Sequence, residues 1–145
     1  QNIGAGKQRR AMETLRYAVF ITVGFGIMVT ILIQFTAAPI VSLFTDGTNV
    51  IRLGSQYLRG YIFDCIFAGI HFSFSGYFCA CGKSVLSFLH NILSISLVRI
   101  PGVYLTSKMF QTTLFPMGLA TAAGSLMSVV ICVIAFYVIY HKGRK

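Results

Sequence analysis

The chain contains apolar runs too long and too poor in charge for the interior of a water-soluble domain. Residues 17–45 make 29 consecutive positions without Asp, Glu, Lys or Arg, and residues 109–140 make 32. Residues 60–82 hold a single acid, Asp64, and residues 84–98 hold no charge. A helix needs about 20 mostly apolar residues to cross a bilayer. Inside lipid, backbone groups are satisfied only in helices or closed barrels, and these runs are too long for barrel strands. The expected fold class is therefore all-α: a polytopic membrane protein whose four transmembrane helices cover about 17–45, 50–82, 84–107 and 115–140. They lie between a loop at 1–16 and a tail at 141–145. The third span reaches full length when Arg99 extends its guanidinium to the headgroups near one interface.

Composition excludes several function classes. Apolar residues make up 56% and charged residues 10%, against about 25% charge in soluble domains. Twelve Lys plus Arg face only three acids, Glu13, Asp46 and Asp64, for a net charge of +9. That surplus reflects missing acids more than a basic stripe, so no nucleic-acid partner is expected. Cys65, Cys79, Cys81 and Cys132 form no Cys-x-x-Cys pair, and no metal site is expected. Gly4-Ala5-Gly6-Lys7 lacks the spacing and preceding strand of a phosphate loop. No nucleophile–His–acid set can be assembled, so neither an enzyme nor a resident cofactor is expected.

The breaks between spans carry turn chemistry. Asp46-Gly47-Thr48-Asn49 and Cys81-Gly82-Lys83-Ser84 are turn signals, with glycine available for positive φ. Pro116 suits a first helical turn. Pro39 and Pro101 sit late in their spans and are expected to kink or end their helices. Residues 1–16 read as an internal loop, and the chain as a C-terminal piece of a longer protein. With four crossings, Lys7, Arg9, Arg10, Arg16, Lys83, Lys142, Arg144 and Lys145 lie on one side. Arg52, Arg59, Arg99 and Lys108 lie on the other. The bias places both ends in the cytoplasm.

The helix faces are more polar than a passive anchor requires. Asp64 lies within the second span, and an acid there costs about 2.5–3.5 kcal/mol at mid-bilayer. It either couples transport to H+ or Na+, or pairs with Arg59 or Arg99. His71 lies seven residues on, on the same face and roughly 10.5 Å along the axis. Tyr57 and Phe78 extend that stripe. His71 is read mainly as a packing residue, with a proton-relay role as the alternative. Ser84, Ser87, Asn91 and Ser94, with His90 beside them, form one polar face of the third span. That face either lines an aqueous path or hydrogen-bonds another helix. Thr30 and Gln34 form a smaller polar spot suited to structural pairing. Ala120, Gly124, Ser128 and Cys132 make a small-residue stripe, as do Gly69–Ser73 and Gly76–Ala80, which suits close helix packing.

The opening residues Gln1-Asn2-Ile3-Gly4-Ala5-Gly6, followed by Lys7, Arg9, Arg10 and Ala11, resemble the cytoplasmic loop signature of multidrug and toxic compound extrusion transporters. In that family the signature precedes the ninth helix. Phe44-Thr45-Asp46 is similar to the family's Phe-Thr-Asp at the outer end of that helix. Val50, Ile51, Tyr57, Leu58, Gly76 and Gly82 suit the tenth helix, and Arg99-Ile100-Pro101 resembles the Arg-x-Pro of the eleventh. The resemblance implies helices nine to twelve of a twelve-helix, two-lobed transporter, completed by eight N-terminal helices. It implies a multi-pass protein of the plasma membrane that exchanges H+ or Na+ for drug-like organic cations by alternating access. One departure stands out. Some members carry a cation-linked acid at a position that falls on Ala68 here, four residues after Asp64.

The leading expectation is thus a secondary antiporter with Asp64 as the coupling acid. Tyr57, Phe67, Ala68, His71, Ser87, Asn91 and Ser94 are candidates for lining the cavity, where aromatic rings favour organic cations. The alternatives are a flippase for lipid-linked oligosaccharide from the same superfamily and a non-transporting membrane scaffold.

Overall fold

The computed structural model describes residues 1–142, with side chains described through residue 139. The described residues fold into helices: α1 (Gln8–Ser42), α2 (Thr48–Tyr61), α3 (Asp64–Ala80), α4 (Ser84–Ser94), a π turn (Ile95–Arg99), α5 (Ile100–Met109) and α6 (Phe115–Lys142). Three helical stretches are long and apolar enough to cross a membrane, and the bent pair α2–α3 makes a fourth when taken as one span. The all-α membrane class expected from the apolar runs is what the structure has. Residues 143–145 of the expected cytoplasmic tail lie outside the described residues.

Helix α6 is the hub. It packs against α2, α3, α4, α5 and the π turn, whereas α1 packs against α2 and α3. Small residues set these distances, because without a hydrophobic drive between helices in lipid, close backbone approach supplies the attraction. Gly60 of α2 and Gly118 of α6 face each other: a Cβ on Gly118 would meet Tyr61 N at 2.6 Å and Gly60 C at 3.0 Å. Gly69 of α3 meets Thr22 of α1, where a Cβ would lie 2.7 Å from Thr22 Cβ. Along the expected α6 stripe, Gly124 backs onto Arg99 Cβ, Ala120 lies beside Gly102, and Ser128 and Cys132 are fully buried. The pair Gly76–Ala80 differs. Both residues are exposed, and no atom lies within 4 Å of a Cβ on Gly76.

Four local expectations need correction or narrowing. First, α1 begins at Gln8, so half of the expected 1–16 loop is helical. The signature residues fold back as a compact turn: Ala5 N donates to Gln1 O, and Lys7 N donates to Asn2 O at 2.8 Å. Gly6 adopts φ +71°, and Asn2 Nδ2 donates to Thr14 Oγ1 of α1 at 3.3 Å. Second, of the two turn glycines only Gly82 uses positive φ, whereas Gly47 sits at φ −73°. Third, of the two outcomes expected at Pro101, a kink or an end, the helix does not end there. Ile100 N donates to Ile95 O through the π turn, and the helix runs on to Met109. The wider turn spaces the backbone where the proline supplies no N–H.

Fourth, the expected helix at 50–82 is broken at Ile62–Phe63, with a bend of 40°. Neither residue is Gly or Pro. The carbonyls at the break are met in two ways. Ile62 O accepts Cys65 N at 3.1 Å in a tightened turn, and Gln34 Nε2 of α1 donates to Arg59 O at 3.1 Å. Thr30 Oγ1, which donates to Gly26 O at 2.7 Å, lies 3.4 Å from Ile62 O. Side chains inserted into the backbone ladder are a recognised cause of sharp kinks. The Thr30–Gln34 spot thus performs the structural pairing its spacing suggested.

Gly118→Ala should lower the detergent-solubilised protein's stability by about 1–3 kcal/mol through overpacking. Gly76→Ala should be neutral or stabilising by roughly 0.5–1 kcal/mol. Thermal melts followed by size-exclusion chromatography read both.

Candidate functional site

The bend decides where the lone intramembrane acid goes. Asp64 is the first residue of α3 and is 7% exposed. A helix N-terminus favours negative charge, so the break itself supplies part of the acid's support. The rest comes from the π turn. Arg99 Nη2 lies 3.5 Å from Asp64 Oδ2, and the Arg99 side chain is one-third exposed. Gly124 of α6 lets this happen, since a Cβ there would press on Arg99 Cβ at 3.1 Å. Among the described residues Asp64 Oδ1 has no hydrogen-bond partner. Arg99 also lines an open, mostly apolar groove of about 440 Å³ with Ile100, Val103, Tyr104, Ser107 and Thr121. Tyr61 and Cys65 lie within the electrostatic reach of Asp64.

Of the two partners considered for Asp64, the ion pair goes to Arg99. Arg59 is half-buried on α2, and its Nε has no partner among the described residues. A carboxylate with one paired oxygen and one bare oxygen, next to a partly exposed cation, can receive a proton or a small cation without dismantling its surroundings.

A second polar cluster continues along α3. His71 and His90, from α3 and α4, are 4% and 1% exposed. Their rings meet edge to face with centroids 5.5 Å apart. Ser128 of α6 approaches His90 Nδ1 at 3.4 Å and donates to His90 O at 3.3 Å. One turn further, Ser94 Oγ donates to Gly124 O.

The sequence candidates are distributed unevenly around this interior. Asp64, His71 and Ser94 converge on the α3–α4–α6 core. Phe67 and Ala68 are half-buried on α3 between Asp64 and His71. Tyr57 stacks on Tyr61, with centroids 5.8 Å apart. Ser87 donates to Ser75 O at 3.0 Å, pinning α4 to α3. Asn91 is exposed. It lies about 100° round the helix from His90, and the buried face centres on His90 and Ser94. None of these candidates lines the Arg99 groove or the two grooves that flank the start of α1. His90 and Ser128 are the residues sequence reasoning undervalued. Nothing in the spacing of His71 and His90 announces that two helices bring them together.

The comparisons with known proteins agree with this architecture. The family model MatE matches residues 1–105. The chain belongs to the MatE family. Its match spans the opening signature, the broken second span, the π turn and Arg99, and the protein is a multi-pass membrane transporter of that superfamily. No curated protein and no solved structure matches the chain.

Removing Arg99 alone should cost more stability than removing both charges. Arg99→Met leaves Asp64 buried without its cation, a loss of about 3–5 kcal/mol for a fully buried pair, and less here because the guanidinium is partly exposed. Adding Asp64→Asn should recover most of it. A double-mutant cycle in chemical or thermal melts measures the coupling, and additive losses would dissolve the pair.

Proposed function

We propose that these helices are the ninth to twelfth of a twelve-helix secondary antiporter of the plasma membrane. It exports organic cations and other drug-like compounds in exchange for H+ or Na+, with both ends of the fragment in the cytoplasm. The observation that carries the reading is Asp64: a buried acid at a helix break, paired on one oxygen with Arg99 and bare on the other.

The proposed cycle uses that asymmetry. A proton or Na+ entering at Oδ1 neutralises the carboxylate and weakens its hold on Arg99. The guanidinium then separates from the acid, and the π turn and the α2–α3 bend are the two pliable joints that absorb the change. Ion binding thereby shifts the balance between inward- and outward-open states in proportion to its differential affinity for them. Asp64 sits one turn before Ala68, so the coupling acid is a relocated one. Tyr57 and Phe67 supply aromatic surface for an organic cation. The cargo is a drug-like compound rather than a lipid-linked oligosaccharide, a choice supported by the Gln-Asn-x-Gly-Ala-Gly opening.

In the complete transporter, Asp64→Asn should reduce ion-gradient-driven efflux by about tenfold or more while expression and substrate binding persist. Efflux at the wild-type rate, driven by the same gradient, would remove Asp64 from the coupling step.

A further inference from the structure

The charges of α1 stop at one level. Lys7, Arg9, Arg10 and Arg16 stand close together with a single acid, Glu13, and residues 17–45 carry no charge. In a bilayer that step places Arg16 at the headgroups and the residues after it in hydrocarbon. The start of the helix does not absorb the surplus. No acid stands in its first turn, and the N-terminal end of a helix is itself the positive end of its dipole. An anion from outside the helix is therefore favoured here.

The same turns of α1 form one wall of a groove. Arg9, Glu13, Arg16 and Phe20 recur at intervals of four, three and four, the spacing of one helix face. They border an open groove of about 700 Å³ whose other walls include Phe74 of α3 and Phe136 of α6. Arg9 uses one nitrogen on Glu13: Nε lies 3.2 Å from Oε1, and the Arg9 side chain stays 93% exposed. Arg16 is exposed and, among the described residues, makes no ion pair. Two arginines against one glutamate leave the mouth of the groove with a net positive charge. Phe20 is exposed one turn deeper, about 6 Å along the axis. Phe74 and Phe136 meet edge to face with centroids 5.5 Å apart. The groove is thus cationic at its mouth and aromatic below it.

We propose that this groove binds an anionic phospholipid of the surrounding bilayer. Its phosphate lies at Arg16 with Arg9 alongside, and an acyl chain runs along Phe20, Phe74 and Phe136. Arginine suits the phosphate because its planar fork offers paired N–H donors. A membrane holds both halves of this ligand at the required depth, charge at the headgroups and hydrocarbon immediately beneath. A soluble phosphate would meet the arginines and leave the rings bare. A zwitterionic lipid would bring its own cation to the arginines. The proposal needs only that the helices stand in a bilayer, and it does not rest on the antiport reading.

Native mass spectrometry of the complete transporter, released from vesicles of phosphatidylglycerol and phosphatidylcholine in equal amounts, counts the lipids it keeps. The wild type should keep phosphatidylglycerol over phosphatidylcholine. Arg16→Gln and Arg9→Gln should each weaken that retention by about fivefold. Phe20→Ala should weaken it too, and added inorganic phosphate should leave the lipid in place. Arg10→Gln removes the same charge from the same turn but from outside the groove, and should retain lipid as the wild type does. All four side chains are exposed, so the variants should stay folded on size exclusion. Equal loss from Arg10→Gln would mean diffuse surface charge. Displacement by phosphate would mean an anion site without a lipid. No loss from Arg16→Gln would mean a groove filled by another helix of the transporter. Each of these results overturns the proposal.

Discussion

A helix broken inside a membrane must hand its freed carbonyls to another donor, because no water is there to take them. Gln34 of α1 meets that requirement at Arg59 O, and a tightened turn meets it at Ile62 and Phe63, whose carbonyls accept Cys65 N and Ile66 N. Much else follows from those bonds. They hold a 40° bend in a segment with no proline. The bend makes Asp64 the start of a new helix rather than a residue in the middle of an old one. It also ties the first helix to the second across their contact, so that α1 and the α2–α3 pair form one packed unit on the α6 hub.

The charges sit where the backbone is irregular on both sides. Asp64 begins α3, and Arg99 ends the π turn. Regular helices present side chains at fixed angles, and a pair of charges buried between two of them would be locked. Here each partner stands on a joint. Glycine makes the geometry compact: Gly60 against Gly118, and Gly124 against Arg99, bring α6 close enough to serve both joints. The result is two buried polar clusters, the Asp64–Arg99 pair and the His71–His90–Ser128 group, among helices whose outer faces are apolar. Buried polar groups are costly in lipid unless they have a task, which agrees with the transporter family to which the chain belongs.

The sequence made some of this legible and concealed the rest for physical reasons. Helix number and type were readable because a charge-free run of 29 or 32 residues admits few other structures in lipid. Asp64 was conspicuous because it is the only acid in its span, and the small-residue stripe of α6 showed its packing by its period of four. The bend at Ile62–Phe63 was invisible. A donor that holds it, Gln34, lies 25 residues away in α1, and Gly60 beside the break does not by itself announce a bend. The π turn was hidden for a related reason: Pro101 signals a disturbance but not whether the helix ends or widens. The polar face of α4 was drawn one residue off centre, with Asn91 included and His90 only noted. Serine and asparagine at helical spacing do not say which of them the neighbouring helix will cover. The His71–His90 contact depends on how α3 and α4 return past each other after the Gly82 turn, and that is a tertiary fact.

The central claim is that Asp64 takes up the driving ion. Infrared difference spectroscopy of the complete transporter observes that carboxyl group directly as H+ or Na+ is added in the absence of substrate. The account predicts a carboxyl band that changes with one of the two ions in the wild type and is missing from Asp64→Asn. Identical difference spectra from the two proteins would contradict it.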